Sequence, residues 1–105
     1  MKSTIVCALN EIEPGKAMRV MVDAIAVAVV RIDDDVYAIT DTCSHAKVSL
    51  SEGIVLCDTK EIECIRHGSA FNLVTGEPST LPATQPVAVF SARVENGNVL
   101  IETSN

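Results

Sequence analysis

The sequence predicts a single all-β domain, an antiparallel β-sandwich or barrel that carries a loop-rich, site-bearing subdomain. Its 105 residues suit one domain. Hydrophobic residues make up 48% of the chain, but aromatic residues only 3%, so the core must be built from Val, Ile, Ala and Leu. Short β-branched runs recur between turn sequences, which is typical of small antiparallel folds.

Nine β-branched runs are predicted to form the strands. In chain order they are Thr4–Leu9, Ala17–Val22, Ile25–Ile32, Val36–Thr40, Ile54–Leu56, Ile62–Cys64, Ala70–Leu73, Val87–Val94 and Val99–Glu102. Asn96-Gly97 lies between the last two runs and is a strong hairpin signal. A helix over residues 17–32 is the alternative. Val dominates that stretch, Asp23 interrupts it and no capping sequence precedes it, so strands are favoured.

Composition changes along the chain and predicts how the domain is organised. Residues 41–86 hold both histidines, three of the four cysteines and three of the four prolines. Long ordered loops in a compact domain usually serve function. The sequence therefore predicts one domain over residues 1–105, with a β scaffold from residues 1–40 and 80–105 and a site-bearing lobe from residues 41–79.

The charge balance excludes some partners. The net charge is −6, and the chain has no basic run of the kind that binds nucleic acid. The acidity serves either solubility or steering towards a basic face on a partner. The N-terminus lacks the features of a signal peptide, and the apolar run 25–30 is too short to span a membrane. We expect a cytoplasmic protein without membrane contact, whose cysteines bind metal or are buried rather than forming disulfides.

Two short motifs carry the candidate chemistry. They are Cys43-Ser44-His45 and Cys64-Ile65-Arg66-His67, and together they contain both histidines of the chain. A predicted hairpin separates them, so their loops can meet at one site. Thiolate and imidazole are ligands of transition metals. The residues alone leave three possibilities: a mixed-ligand two-iron cluster, a tetrahedral zinc site or no metal.

The stretch from TCSHAKVSLSEG to IECIRHGSAFNLVTGEP, residues 42–78, resembles the bacterial Rieske ferredoxins that serve ring-hydroxylating dioxygenases. SLSEG, AFN and TGEP are most similar to the ferredoxins of carbazole dioxygenases. The resemblance implies a Rieske-type β fold and one [2Fe–2S] cluster. By motif, Cys43 and Cys64 would bind the inner iron, and His45 and His67 the outer iron.

The resemblance also assigns supporting roles and exposes departures from the family pattern. Gly68 would let the backbone pass close to the cluster, and Leu81-Pro82 would belong to a third loop that covers it. Ile65 stands where the family usually has Pro, and Arg66 adds a positive charge that should raise the reduction potential unless solvent screens it. Ser69 matches a residue of high-potential Rieske proteins. Phe71, in place of their Tyr, favours a lower potential.

The small number of candidate catalytic residues and motifs in the sequence predicts an electron carrier and not an enzyme. Both histidines are used as ligands, so none remains for the mononuclear iron of an oxygenase. No Gly-rich nucleotide-binding motif of a reductase occurs. By resemblance, the partners are a flavoprotein ferredoxin reductase fed by NADH or NADPH and a terminal Rieske oxygenase. The alternatives are a nitrite-reductase-like small subunit, a metal-stabilised interaction module and a redox sensor.

The two remaining cysteines have no histidine nearby and receive simpler predictions. Cys7 lies in a predicted strand and is expected to be buried. Cys57 lies at the tip of the predicted hairpin between the two ligand motifs, where we expect a passive thiol.

Overall fold

The protein forms two antiparallel β-sheets in the computed structural model, which describes residues 2–42, 49–65, 68–79 and 85–103. The larger sheet of this part of the chain, a half-barrel, contains β1 (Lys2–Ala8), β2 (Lys16–Val22), β3 (Ile25–Ile32), β4 (Asp35–Thr40), β8 (Val89–Glu95) and β9 (Asn98–Thr103). Its strand order is β1-β9-β8-β4-β3-β2. The smaller sheet, here called the small lobe together with its turns, contains β5 (Ile54–Leu56), β6 (Glu61–Glu63) and β7 (Ala70–Asn72). The predicted all-β fold class is confirmed.

Each of the nine predicted strands is present, and the differences are confined to the ends. The bounds of β3 and β5 match the predictions, and the other ends differ by at most two residues. Residues 17–32 form β2 and β3 rather than a helix. In the part of the chain that the structure describes, the only helical segments are two 3₁₀ turns, Leu9–Glu11 and Leu50–Glu52. No helix in the described ranges is long and apolar enough to cross a membrane.

Two hairpins of the half-barrel turn through pairs of residues with positive φ. Asn96 and Gly97 join β8 to β9 with φ values of 53° and 77°, so the predicted hairpin is confirmed. Asp23 and Ala24 join β2 to β3 with φ values of 48° and 70°. Paired positive φ values are those of a type I′ turn, whose twist matches that of the flanking strands. The second turn contains no glycine, and the pairing of the two strands imposes its backbone conformation.

Strand β3 is buried on both faces, which explains its unbroken apolar sequence. Val27 and Val29 belong to the core enclosed by the half-barrel. Ala28 and Val30 point to the other face, where a second core lies against the small lobe. Successive side chains of a strand point to opposite faces, so both halves of the alternation must be apolar here. This strand therefore contributes side chains to both cores, and one of its faces packs against the small lobe.

Candidate metal centre

The structure describes one of the four predicted ligands, Cys64. The other three predicted ligands lie outside the described residues: Cys43, His45 and His67. The same is true of Arg66 and of Leu81-Pro82, which the resemblance assigns to the covering loop. The described part of the site consists of Cys64 and the stems of the loops that carry the other residues.

Cys64 follows β6 directly and has no solvent exposure. It belongs to the core between the half-barrel and the small lobe, together with Leu50, Ile62 and Phe71. Its backbone N–H donates to the carbonyl of Ser69 over 2.7 Å, so the chain turns back immediately after the cysteine. A thiol in this position is shielded from water and held by a fixed backbone, which suits a preorganised metal ligand.

Gly68 closes the turn that begins at Cys64. Its N–H donates to the carbonyl of Cys64 over 3.0 Å, and its φ of +73° lies in the left-handed region that favours glycine. A Cβ added to Gly68 would meet no described atom within 4 Å. The structure thus gives a conformational reason for this glycine, in addition to the close approach to a cluster that the resemblance implies.

The loop that carries Cys43 and His45 is closed at its stem by Asp41. Thr42 and Ser49 form a β-bridge across the stem, and Leu50 donates its N–H to the carbonyl of Asp41. The carboxylate of Asp41 accepts the N–H of Ser51 over 2.9 Å.

A cation from the half-barrel pairs with this carboxylate. Nε of Arg19 in β2 lies 3.3 Å from Oδ2 of Asp41. Neither Asp41 nor Arg19 was predicted from the sequence to support the site. An acidic residue between an apolar strand and a ligand motif was the signal that could have drawn attention to Asp41.

The stems of the two ligand loops meet at Gly53. A Cβ at this position would lie 2.1 Å from the carbonyl oxygen of Glu63, the residue before Cys64. No side chain fits at that distance, so the chain leaving the first loop packs backbone to backbone against the strand that leads into the second. The predicted hairpin between the motifs is confirmed, and it includes this contact.

A third segment begins and ends on the small lobe. Ser79 donates its N–H to the carbonyl of Ala70 in β7 over 2.8 Å, and Val87 donates its N–H to the carbonyl of Gly76 over 2.9 Å. A Cβ at Gly76 would lie 2.1 Å from the carbonyl oxygen of Val87, so the returning chain passes directly over this glycine. Both ends of the segment that includes the predicted covering loop are thus attached near β7.

The three described cysteines are free of disulfide bonds. Cys7 is buried and Cys57 is exposed in the turn between β5 and β6, so both placements are confirmed. Burial raises the pKa of the Cys7 thiol, and the nearby carboxylate of Glu11 adds to the rise. The Cys7 thiol therefore lacks the electropositive, accessible surroundings of a reactive cysteine.

The described stem residues fit a site that could hold an iron–sulfur cluster. A buried thiol lies at the stem of one loop, and the chain of the other loop packs against that stem. This arrangement defines a class: a small all-β protein whose second, three-stranded sheet carries the stems of the two predicted ligand loops.

Comparisons with known proteins agree with this class. The family model described as the Rieske [2Fe-2S] domain matches residues 2–91. The chain is 45% identical over 97 residues to the ferredoxin CarAc of Metapseudomonas resinovorans, covering 91% of this chain and 89% of that protein. The ferredoxin of carbazole 1,9a-dioxygenase from Nocardioides aromaticivorans IC177 superposes with a TM-score of 0.94 at 35% identity, over 99% of this chain and all of that one.

A third similar structure is a complex of reduced oxygenase and oxidized ferredoxin in carbazole 1,9a-dioxygenase. One of its chains is 44% identical to this protein with a TM-score of 0.85, over 94% of this chain and 91% of that one. The chain belongs to the Rieske [2Fe–2S] domain family. The resemblance to carbazole dioxygenase ferredoxins and the predicted cofactor, one Rieske-type [2Fe–2S] cluster, are confirmed.

Proposed function

We propose that this protein is a one-electron carrier that takes electrons from an NAD(P)H-dependent flavoprotein reductase and delivers them to a terminal Rieske oxygenase that hydroxylates aromatic rings. It is an electron-transfer component and not itself an enzyme. We place it in the cytoplasm, in the catabolism of aromatic hydrocarbons. One of the similar proteins is named as a ferredoxin, another as the ferredoxin of a carbazole 1,9a-dioxygenase, and the third is a complex of oxygenase and ferredoxin.

We further propose that Cys43, His45, Cys64 and His67 hold the cluster on the lobe formed by residues 41–79. The observation that carries this assignment is the meeting of the two loop stems at Gly53, directly before the buried Cys64. When bound, a [2Fe–2S] cluster would supply one-electron redox chemistry. The chain contributes two thiolates and two imidazoles, keeps water from Cys64 and fixes the backbone on both sides of each loop.

The ligand assignment is tested by metal analysis and spectroscopy of the purified protein. We expect two irons and two acid-labile sulfides for each chain, and after reduction with dithionite an EPR signal of mixed His and Cys ligation. Zinc without sulfide would support the metal-stabilised interaction module instead. His67→Cys should lower the reduction potential, because a neutral imidazole is replaced by a negatively charged thiolate. Cys57→Ser is the matched control outside the site and should leave the potential unchanged.

The carrier role is tested by rapid-mixing kinetics with the reductase and oxygenase of a carbazole 1,9a-dioxygenase system. The reduced protein should transfer its electron to the oxygenase in a single turnover. The net charge of −6 predicts transient docking, with a rate that depends on ionic strength. A protein that dithionite reduces normally, but that neither accepts an electron from the reductase nor passes one to the oxygenase, would support one of the alternatives, the nitrite-reductase-like subunit or the redox sensor.

A further inference from the structure

Asp41 is attached to three parts of the fold at once. Its own N–H donates to the carbonyl of Ala26 in β3 over 3.0 Å, which fixes it to the half-barrel. Its carbonyl accepts the N–H of Leu50, and its carboxylate accepts the N–H of Ser51. The last two bonds reach the chain on the far side of the first ligand loop. A single residue therefore joins the start of that loop, its end and the sheet beneath it.

The carboxylate of Asp41 is buried and paired with a cation, unlike a typical hydrogen-bond acceptor in a surface turn. Only 2% of the side chain is exposed, and burying a carboxylate is unfavourable unless the charge is paired. Oδ1 accepts the Ser51 N–H, and Oδ2 lies beside Nε of Arg19, whose own side chain is 55% exposed. Arg19 thus holds the carboxylate in place from β2 while remaining hydrated itself.

We propose that Asp41 is a positioning residue for the metal centre: restrained by Arg19, it holds together the two ends of the segment that carries Cys43 and His45. This inference rests on the ligand assignment proposed above. A loop whose two ends are fixed by hydrogen bonds has few conformations left to lose when its ligands bind. Less ordering of the thiolate and the imidazole is then needed for binding, so we expect a bound cluster to dissociate slowly and to be held by a single arrangement of its ligands.

The test measures how fast the loaded protein loses its cluster. Full-length oxidised protein is mixed with excess ferrozine and ascorbate at 25 °C, and the visible absorbance is followed. Asp41→Ala should lose the cluster about ten- to a hundredfold faster, because it leaves the Ser51 N–H without its acceptor and Arg19 without its partner. Asp41→Asn keeps an oxygen acceptor but loses the ion pair, and we expect a smaller acceleration.

The same measurement on Arg19 separates the ion pair from the hydrogen bond. Arg19→Gln should accelerate cluster loss as much as Asp41→Asn does, and Arg19→Lys should restore a rate within about threefold of wild type by keeping the charge. Asp35→Asn is the matched control: it removes an exposed carboxylate from the other end of the same strand that precedes Asp41. Its rate should equal that of the wild type.

EPR of the reduced protein and thermal unfolding distinguish positioning from general stabilisation. If Asp41 positions the ligands, the EPR signal of Asp41→Ala should be broadened or shifted. If that variant does not fold, the same measurement is made on Asp41→Asn and Arg19→Gln. A lower unfolding temperature with wild-type release and an unchanged signal would overturn the proposal. His45→Ala checks the ligand assignment separately. If it left the spectrum unchanged, the assignment would fail and the inference with it.

Discussion

The half-barrel and the small lobe are stabilised in different ways. The strands of the half-barrel contain six to eight residues and enclose a continuous aliphatic core. Each strand of the small lobe contains three residues. Its turns depend on individual contacts instead, such as Asn72 Oδ1, which accepts the N–H groups of both Val74 and Thr75. Stability is therefore distributed in the half-barrel and concentrated in single contacts in the lobe.

The difference teaches how a small chain combines a stable scaffold with a precise site. Sheets of very short strands are marginal on their own, so the lobe needs its core against β3, its glycine contacts and its cluster. The half-barrel does not need the cluster in this way. The two regions should consequently respond differently to the same perturbation.

Removing the cluster should produce the largest difference in stability between the small lobe and the half-barrel. We expect the amides of the small lobe to lose protection by about a hundredfold or more, because metal binding is coupled to ordering of the segments that ligate it. The half-barrel should remain protected. Hydrogen–deuterium exchange of loaded and iron-free protein, compared for peptides covering residues 54–72 and 25–40, measures this. Equal loss of protection in both peptides would contradict the comparison.

Ile101→Ala should destabilise the half-barrel without altering the site. Ile101 in β9 is fully buried in the half-barrel core, so the substitution leaves a cavity that costs about 2–5 kcal/mol of unfolding free energy. Denaturant unfolding measures the loss, and the EPR signal at native conditions should stay the same. Ile5→Ala is the control on β1, where the side chain is exposed, and should change stability by less than about 0.5 kcal/mol.

Two glycine substitutions compare a spatial requirement with a conformational one. Gly53→Ala places a methyl group against the Glu63 carbonyl, which should cost about 1–3 kcal/mol and change the EPR signal by separating the loop stems. Gly97→Ala in the β8–β9 turn meets no described atom within 4 Å, and only its φ of +77° is unfavourable. We expect about 1–2 kcal/mol of destabilisation there and an unaltered signal. An unaltered signal in Gly53→Ala would mean that the contact does not align the loops.

Thiol labelling gives the smallest expected effect. The pKa of Cys7 is raised by burial and by Glu11, so its thiolate is scarcer at pH 8 than that of an exposed cysteine. In the loaded protein, Ellman's reagent should therefore react with Cys57 at least about tenfold faster than with Cys7. Cys57→Ser should abolish the fast phase. A fast phase that persists in this variant would show that Cys7 is accessible.

Local sequence patterns predicted those turns and strands whose conformation depends on their own residues. The Asn96-Gly97 turn follows from two residues that tolerate positive φ. The Asp23-Ala24 turn has no such signal, and its conformation is set by the pairing of β2 with β3. The unbroken apolar run of β3 predicted a buried strand, but not that its two faces serve different cores.

The sequence by itself determined the all-β class, the strands and the two Cys/His motifs, because alternation, turn residues and ligand spacing act between near neighbours in the chain. Only the tertiary structure decided which residues support the site. Asp41 meets Ser51 and Arg19, and Gly53 meets Glu63, across gaps that no local pattern encodes. Such contacts exist only after the small lobe has packed against the half-barrel. The roles of this carboxylate and this glycine at the stems of the predicted ligand loops are therefore not visible in the sequence.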